Sequence, residues 1–250
     1  MGRAFDIRRF ATIDSTNTWL MQQARDGAVE GLVAVADEQT AGRGRLGRTW
    51  VAPPGASLLM SVLLRPRDLR VDRLHLATAA VALSAADALL EVAGFTPESK
   101  WPNDLMVDGR KLAGVLTEVD WADDPAVIVG IGVNCTWPPE LPDEIADVAI
   151  AANHVTGQAV DRDQILSSLL ERLGDRLDRG WDTVAAEYAD RCATIGCRVR
   201  VELTDSAFVG LARELTNEGH LIVETADGLR TVTAGDVIHL RPEPRGAFPG

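Results

Sequence analysis

Beyond Cys192 the chain changes texture, and that change constrains the fold more than any other feature. The segments CRVRVEL, AFVGLARELT, HLIVETADG, LRTVTAG and DVIHLRP are short and alternate polar with apolar residues. Turn signals such as Asn217-Glu218-Gly219 and Asp227-Gly228 separate them. Period-two alternation with frequent turns predicts a small β-barrel, starting near Thr194. At 250 residues the chain has room for one larger unit before it.

That larger part reads as strands mixed with helices. DRLHLATAAVALSAADALLEVAG predicts the clearest helix, capped by Asp72, filled with Ala and Leu, and closed by Gly94. A shorter helix is expected over Thr16 to Arg25, capped by Asp14 or Ser15 and stopped by Gly27. LVAVADEQT reads as a strand, and AVIVGIGVNCTW as a buried one. SLLMSVLLR has strand length but is too rich in Leu to separate from helix by periodicity. Asp108-Gly109 is the dipeptide of a type I′ hairpin turn. Residues 161–192 predict two helices parted at Gly180. The expected class is α+β, with residues 1–193 as one domain and 194–250 as the other.

Between two of these strands lies TAGRGRLGRTW, with Arg43, Arg45 and Arg48 interleaved with Gly42, Gly44 and Gly47. The whole chain carries a formal charge of -12, so this concentration of cations is local. Glycines let main-chain N–H groups approach a ligand closely, and three guanidinium forks suit a phosphate-bearing one. Trp50, at the end of the loop, suits stacking on a base. The loop is neither a Walker A motif nor a dinucleotide fingerprint. No broad basic face is visible, so a nucleic-acid partner is not expected.

Arginine outnumbers lysine 23 to 2 in the sequence. Both lysines, Lys100 and Lys111, fall in KWPNDLMVDGRKLAG. A compact ammonium differs from a guanidinium fork, so lysine retained here points to an anion-directed role for Lys111. Asp104 is a candidate Mg2+ ligand beside a nucleotide phosphate, with turn formation after Pro102 as the alternative. Gly130 and Gly132 lie two apart on one strand face, where a closely approaching ligand or backbone would exclude a side chain. The four histidines show no metal-ligand spacing. Three cysteines without C-x-x-C spacing read as reduced thiols, no signal peptide is evident, and no apolar run approaches a membrane span. The expected location is the cytoplasm, with no membrane partner.

Taken together, DSTN (14–17), DEQTAGRGRLGRTW (37–50), SLLMSVLLRP (57–66), KWPNDLMVDGRKLAGVLTE (100–118) and VIVGIGVN (127–134) resemble the biotin–protein ligases. The resemblance implies a class II synthetase-like mixed sheet flanked by helices and a small C-terminal SH3-like barrel. It implies ATP and biotin as substrates, Mg2+ as cofactor, and a biotin carboxyl carrier domain of acyl-CoA carboxylases as partner. Biotin would be activated to biotinyl-5′-AMP and passed to a lysine of that partner.

Carried over by position, Ser15, Thr16 and Gln39 would hold the ureido ring, with Asn17 also in the biotin pocket. Gly42, Arg43, Gly44, Gly114, Leu116, Gly130 and Gly132 would complete the biotin pocket. Arg45, Arg48, Trp50, Asn103 and Asn134 would bind ATP, with Asp104 at the metal. Lys111 and Arg45 would be catalytic, Lys111 contacting both substrates. Leu46 departs from relatives with a further basic residue there. Only 13 residues precede the first motif, too few for the winged helix-turn-helix of the repressor members, so DNA binding is not expected. The alternatives are a lipoate or octanoate ligase, whose linear acyl chain the polar Ser15, Thr16 and Gln39 disfavour, and a non-catalytic vitamin-binding module.

Overall fold

A computed structural model describes residues 3–66, 68–121, 125–203, 205–233 and 235–239. The end of the expected C-terminal domain, 240–250, with the close of its last strand segment, lies outside the described residues. The first half of the chain forms β1 (Asp6–Ile13), α1 (Thr16–Arg25), β2 (Leu32–Gln39), β3 (Ser57–Leu64), α2 (His75–Ala93), β4 (Glu98–Lys100), β5 (Asp104–Val107), β6 (Arg110–Asp120) and β7 (Ala126–Asn134). Four helices follow: α3 (Asp143–Ala146), α4 (Ala152–Thr156), α5 (Arg162–Arg179) and α6 (Trp181–Asp190). The last strands are β8 (Arg198–Glu202), β9 (Ala207–Leu215), β10 (Leu221–Thr225), β11 (Gly228–Val232) and β12 (Asp236–His239).

The ambiguous Leu-rich run is a strand. All eight residues of β3 are buried, because it lies inside a sheet covered on both faces, where period-two alternation disappears. That sheet has seven strands in the order β1-β2-β3-β7-β6-β5-β4. The β1–β2 pair is parallel and the other pairs are antiparallel, so the sheet is mixed as expected. The Asp108-Gly109 turn closes β5 onto β6, and both residues have positive φ (50° and 73°), as a type I′ turn requires.

Val33, Val35, Leu58, Met60 and Val62 pack with α2 in one core, while Ala34 and Leu63 pack with Leu20 and Ala24 of α1 in another. The sheet therefore separates two faces. Because α1 is only ten residues long, part of its face is left uncovered. Ser15 caps it, its hydroxyl accepting from the Thr18 amide.

The α2 segment corrects two expectations. Asp72 is not its cap. Val71–Arg73 forms a 3-10 turn, Asp72 pairs with Arg70, and the helix starts at His75. Gly94 does close it, at φ 75°. Val71–Ala93 is also long and apolar enough to cross a membrane, contrary to the expectation from apolar runs. Here it is the core helix, buried on almost every side between the sheet, α5 and α6.

The C-terminal strands form a five-stranded antiparallel sheet, order β11-β10-β9-β8-β12. β11 and β12 remain its edges, so among the described residues it is an open sheet rather than a closed barrel. It docks beside the KWPND segment, which has a cis Trp101–Pro102 bond. Trp101 Nε1 donates to Gly219 O at 2.9 Å and its amide donates to Thr194 Oγ1 at 3.0 Å.

His75 is partly buried at this junction, its ring 5.6 Å from Tyr188 and 6.0 Å from Trp101 between centroids. Burial, then the neighbouring Arg45 and His220, push its pKa down from 6.5 to about 3. A depressed pKa stabilises the fold above the unfolded value, and that contribution drains away as pH falls from 6.5 towards 3. The loss is at most ~1.4 kcal/mol per pH unit. Nε2 of His75 has no hydrogen-bond partner, so His75→Phe removes the titration without breaking a bond. Thermal melts at pH 7 and pH 5 should show a clearly larger drop for the parent than for His75→Phe. Equal drops would refute the assignment.

Candidate active site

The uncovered part of the α1 face is the floor of a cavity of about 1050 Å3. Ser15, Thr16, Asn17 and Gln39 line one end; Arg43, Gly44, Arg45, Arg48 and Trp50 come from the loop. Gly114, Leu116, Gly130, Gly132 and Asn134 line it from β6 and β7, and Asn103, Asp104 and Lys111 close the far side. Gly42 alone among the sequence candidates is absent from the lining. It forms the loop neck, its carbonyl accepting from Trp50 N at 3.0 Å, and a Cβ there would meet Trp50 O at 2.4 Å.

One end of the cavity is uncharged and densely hydrogen bonded. Gln39 Oε1 accepts from Thr16 N at 2.8 Å, Thr16 Oγ1 lies 2.7 Å from Ser61 Oγ, and Ser61 donates to Asn17 Oδ1 at 2.6 Å. Gly130 makes this possible, since a Cβ there would stand 2.2 Å from Asn17 Oδ1.

The other end is cationic. The loop folds as a hairpin, with Arg43 bridged to Thr49 and a 3-10 turn at Arg45–Gly47. Leu46 at its exposed tip has φ 54°, a left-handed conformation uncommon for a non-glycine residue. Arg45 donates to Asn103 Oδ1 at 3.1 Å and to Gly235 O at 3.3 Å; burial lowers its pKa and Asp104 opposes that shift. Arg48 pairs with Asp236, whereas Arg43 turns to the neutral end, pairing with Glu118 at 2.8 Å and donating to Thr18 Oγ1 at 3.1 Å. The loop thus touches both the large sheet and the C-terminal one.

Lys111 stands between the two ends. It is three residues before Gly114, an odd spacing that would place the two on opposite faces of a regular strand. The β5–β6 register shifts between Leu105 and Met106, and this bulge returns Lys111 to the cavity face. Its backbone is clamped by the segment before α4: Lys111 N donates to Val148 O at 2.8 Å and Ile150 N to Lys111 O at 3.0 Å. The ammonium lies 2.6 Å from Asp104 Oδ1 and 5.6 Å from the Trp50 ring centroid.

Trp50 packs against a glycine pair. Gly114 and Gly132 are register partners, and a Cβ on Gly132 would meet the indole at 2.4 Å. The close neighbours excluding side chains at Gly130 and Gly132 are therefore the side chains of Asn17 and Trp50, rather than a neighbouring backbone. Trp50 Nε1 and Asn134 Oδ1 are buried without a hydrogen-bond partner.

Four residues of this site escaped the sequence reading. Ser61 is a buried hydroxyl in an apolar strand, and Glu118 closes a motif whose earlier residues drew attention. Lys100 lines the cavity directly opposite Asp104 in register; burial lowers its pKa, Asp104 opposes this, and Lys111 adds to it. The scarcity of lysine was a signal for it. Asp236 had none, being remote in sequence. No group of three or more His, Cys, Asp or Glu suited to a metal exists among the described residues.

A cavity with a neutral recognition end, a cationic end and an ammonium between them suits joining an uncharged ring bearing a carboxylate to a phosphate. The biotin/lipoate A/B protein ligase family model matches residues 9–134, half of the chain. The chain belongs to that family. The model of the biotin protein ligase C-terminal domain matches residues 194–240.

Within the family, the chain is 38% identical over 243 residues to a biotin–[acetyl-CoA-carboxylase] ligase of Mycobacterium tuberculosis, covering 92% of this chain and 88% of that one. It is 32% identical over 232 residues to the bifunctional ligase/repressor BirA of Bacillus subtilis, covering 90% of this chain and 71% of that protein. The fold matches the biotin protein ligase of Aquifex aeolicus in complex with biotin and ATP, with TM-score 0.81 and 29% identity over 95% of this chain and 99% of that one.

Proposed function

We propose that this chain is a biotin–protein ligase that activates biotin with ATP and transfers it to a lysine of a carboxyl carrier domain. The observation that carries this reading is one cavity joining a neutral hydrogen-bonding end to a cationic end through Lys111. A biotin carboxylate oxygen attacks the α-phosphorus of ATP, and pyrophosphate leaves. The acceptor amine then attacks the carbonyl carbon of biotinyl-5′-AMP; AMP leaves, and the amine gives up a proton.

Thr16, Asn17 and Gln39, with Ser15 beside them, would receive the ureido ring, and Gly114, Leu116, Gly130 and Gly132 would wall it. Lys111 would offset repulsion between two anions and hold charge developing on the α-phosphoryl group. Arg45 and Arg48 would face the phosphates, with Trp50, Asn103 and Asn134 on the nucleotide side. Closure of the 40–50 loop would keep water from the mixed anhydride.

Mg2+ typically binds proteins through one or two carboxylates plus substrate phosphates. Asp104 supplies one carboxylate at the cationic end, which fits an ion arriving with the nucleotide and neutralising phosphate charge. We assign residues 1–193 to the catalytic domain and 194–250 to the C-terminal domain; the end of α6 at Asp190 and the start of the second sheet at Arg198 support that boundary. Free thiols at Cys135, Cys192 and Cys197 support a reducing, cytoplasmic setting.

The test is biotin-dependent ATP–pyrophosphate exchange with lipoate as competitor. Exchange that requires biotin and is unmoved by excess lipoate is expected; exchange driven by lipoate instead would make the chain a lipoate ligase. Arg45→Gly deletes both the Asn103 and Gly235 anchors of the loop. It should speed escape of the adenylate by roughly tenfold, about 1.4 kcal/mol. Mass spectrometry of unrelated proteins incubated with the variant should then find biotin on many of their lysines. Retention as tight as in the parent would refute this role for the loop.

A further inference from the structure

The neutral end of the cavity depends on a carboxylate that does not line it. The two ends of an amide have the same shape, so partners alone decide which way Asn17 points. Glu118 Oε2, an acceptor only when ionised, takes Asn17 Nδ2 at 2.9 Å, and Leu116 O lies 3.3 Å from the same nitrogen. This turns Oδ1 towards Ser61, whose hydroxyl donates to it at 2.6 Å. Having spent its one proton there, Ser61 Oγ accepts from Thr16 Oγ1 at 2.7 Å. The Thr16 hydroxyl proton thus lies between two acceptors, Ser61 Oγ and Gln39 Oε1 at 3.0 Å, and the Thr16 amide also donates to Gln39 Oε1 at 2.8 Å.

The chain Thr16 to Ser61 to Asn17 to Glu118 therefore runs in one sense. Its hydroxyls are left with lone pairs rather than protons to offer. That polarity suits a ring presenting N–H groups. The same Oε2 also pairs with Arg43 at 2.8 Å, at the root of the cationic loop. Glu118 is partly buried on β6, and Asn17 is 4% exposed, so water competes little for the amide.

The geometry points to Glu118 as a positioning residue that fixes the hydrogen-bond polarity of the biotin-ring end and tethers Arg43 to it. This rests on the cavity being the biotin site. Gln at 118 brings an amide donor that can meet Asn17 Oδ1 after a flip. The chain then reverses: Ser61 donates to Thr16, and the Thr16 proton is released from Ser61 to Gln39 Oε1 or the ring. Asp keeps an acceptor-only carboxylate and the original sense.

The experiment is biotin-dependent ATP–pyrophosphate exchange on the full chain, with thermal melts of each variant as a check on folding. Glu118→Gln should raise KM for biotin by about tenfold while KM for ATP stays within about twofold, since one hydrogen-bonded charge is worth roughly a tenfold change. Glu118→Asp should recover most of the loss. An unmoved KM for biotin, an equal rise for ATP, or an Asp variant as poor as the Gln one would overturn the role of Glu118. Absence of biotin-dependent exchange in the parent would instead overturn the cavity assignment, and this inference with it.

Discussion

Lys111→Ala should lower the rate of biotin-dependent pyrophosphate exchange by ~100- to 1000-fold, the usual cost of deleting one preorganised donor at a developing oxyanion. The fold should survive. The lysine's main-chain bonds to Val148 and Ile150 do not need its side chain, and that side chain is one-third exposed. Deletion also frees Asp104, whose carboxylate would then add negative charge where the phosphoryl group must settle. Lys111→Arg should not restore the rate, because a planar fork cannot replace a point charge held between Asp104 and the Trp50 face. Exchange within tenfold of the parent, in a variant with an unchanged melting temperature, would remove Lys111 from the chemistry.

The largest effect on stability should come from Arg176→Met, far from the cavity. The Arg176 side chain is 3% exposed and holds Asp87 of α2 and Glu187 of α6, with Ser84 Oγ at 3.2 Å. Burial disfavours its charge, but the bonds to Glu187 and Asp87 outweigh burial and raise its pKa. Arg191 joins the same pair of carboxylates, at 2.7 Å from Asp87 and 3.4 Å from Glu187. Met fills the apolar volume but leaves two partly buried carboxylates to share Arg191. Breaking a buried pair from one side costs roughly 3–5 kcal/mol. For a chain of this length that is a fall of about 10 °C in melting temperature, read by calorimetry. A fall of only one or two degrees would mean that the network contributes little.

Much of this architecture follows from local pattern. Ser15 before an amphipathic run, Gly94 after an apolar one, and Asp108-Gly109 between two strands each have one good local solution, and the fold adopts it. Asp72 shows the limit, since a short polar side chain before a helix is an equally good partner for Arg70 two residues away. Closure of the C-terminal strands was less legible, because turn spacing reports hairpins and not whether the outer strands meet.

At the site, the loop, Lys111 and the glycines announced themselves by residue type. The partners that orient them did not. Glu118 meets Arg43 across 75 residues and Asp236 meets Arg48 across 188. Such pairings exist only once β6 and β12 are in place. The reason for Gly132 was equally hidden, because the indole it admits arrives from the loop rather than from its own sheet.

The most direct measurement is a crystal structure of the chain with a non-hydrolysable analogue of biotinyl-5′-AMP. The account predicts the ring among Thr16, Asn17 and Gln39, and the phosphate within hydrogen-bond reach of Lys111 Nζ and the Arg45 guanidinium. An analogue bound with its phosphate away from both cations would contradict it.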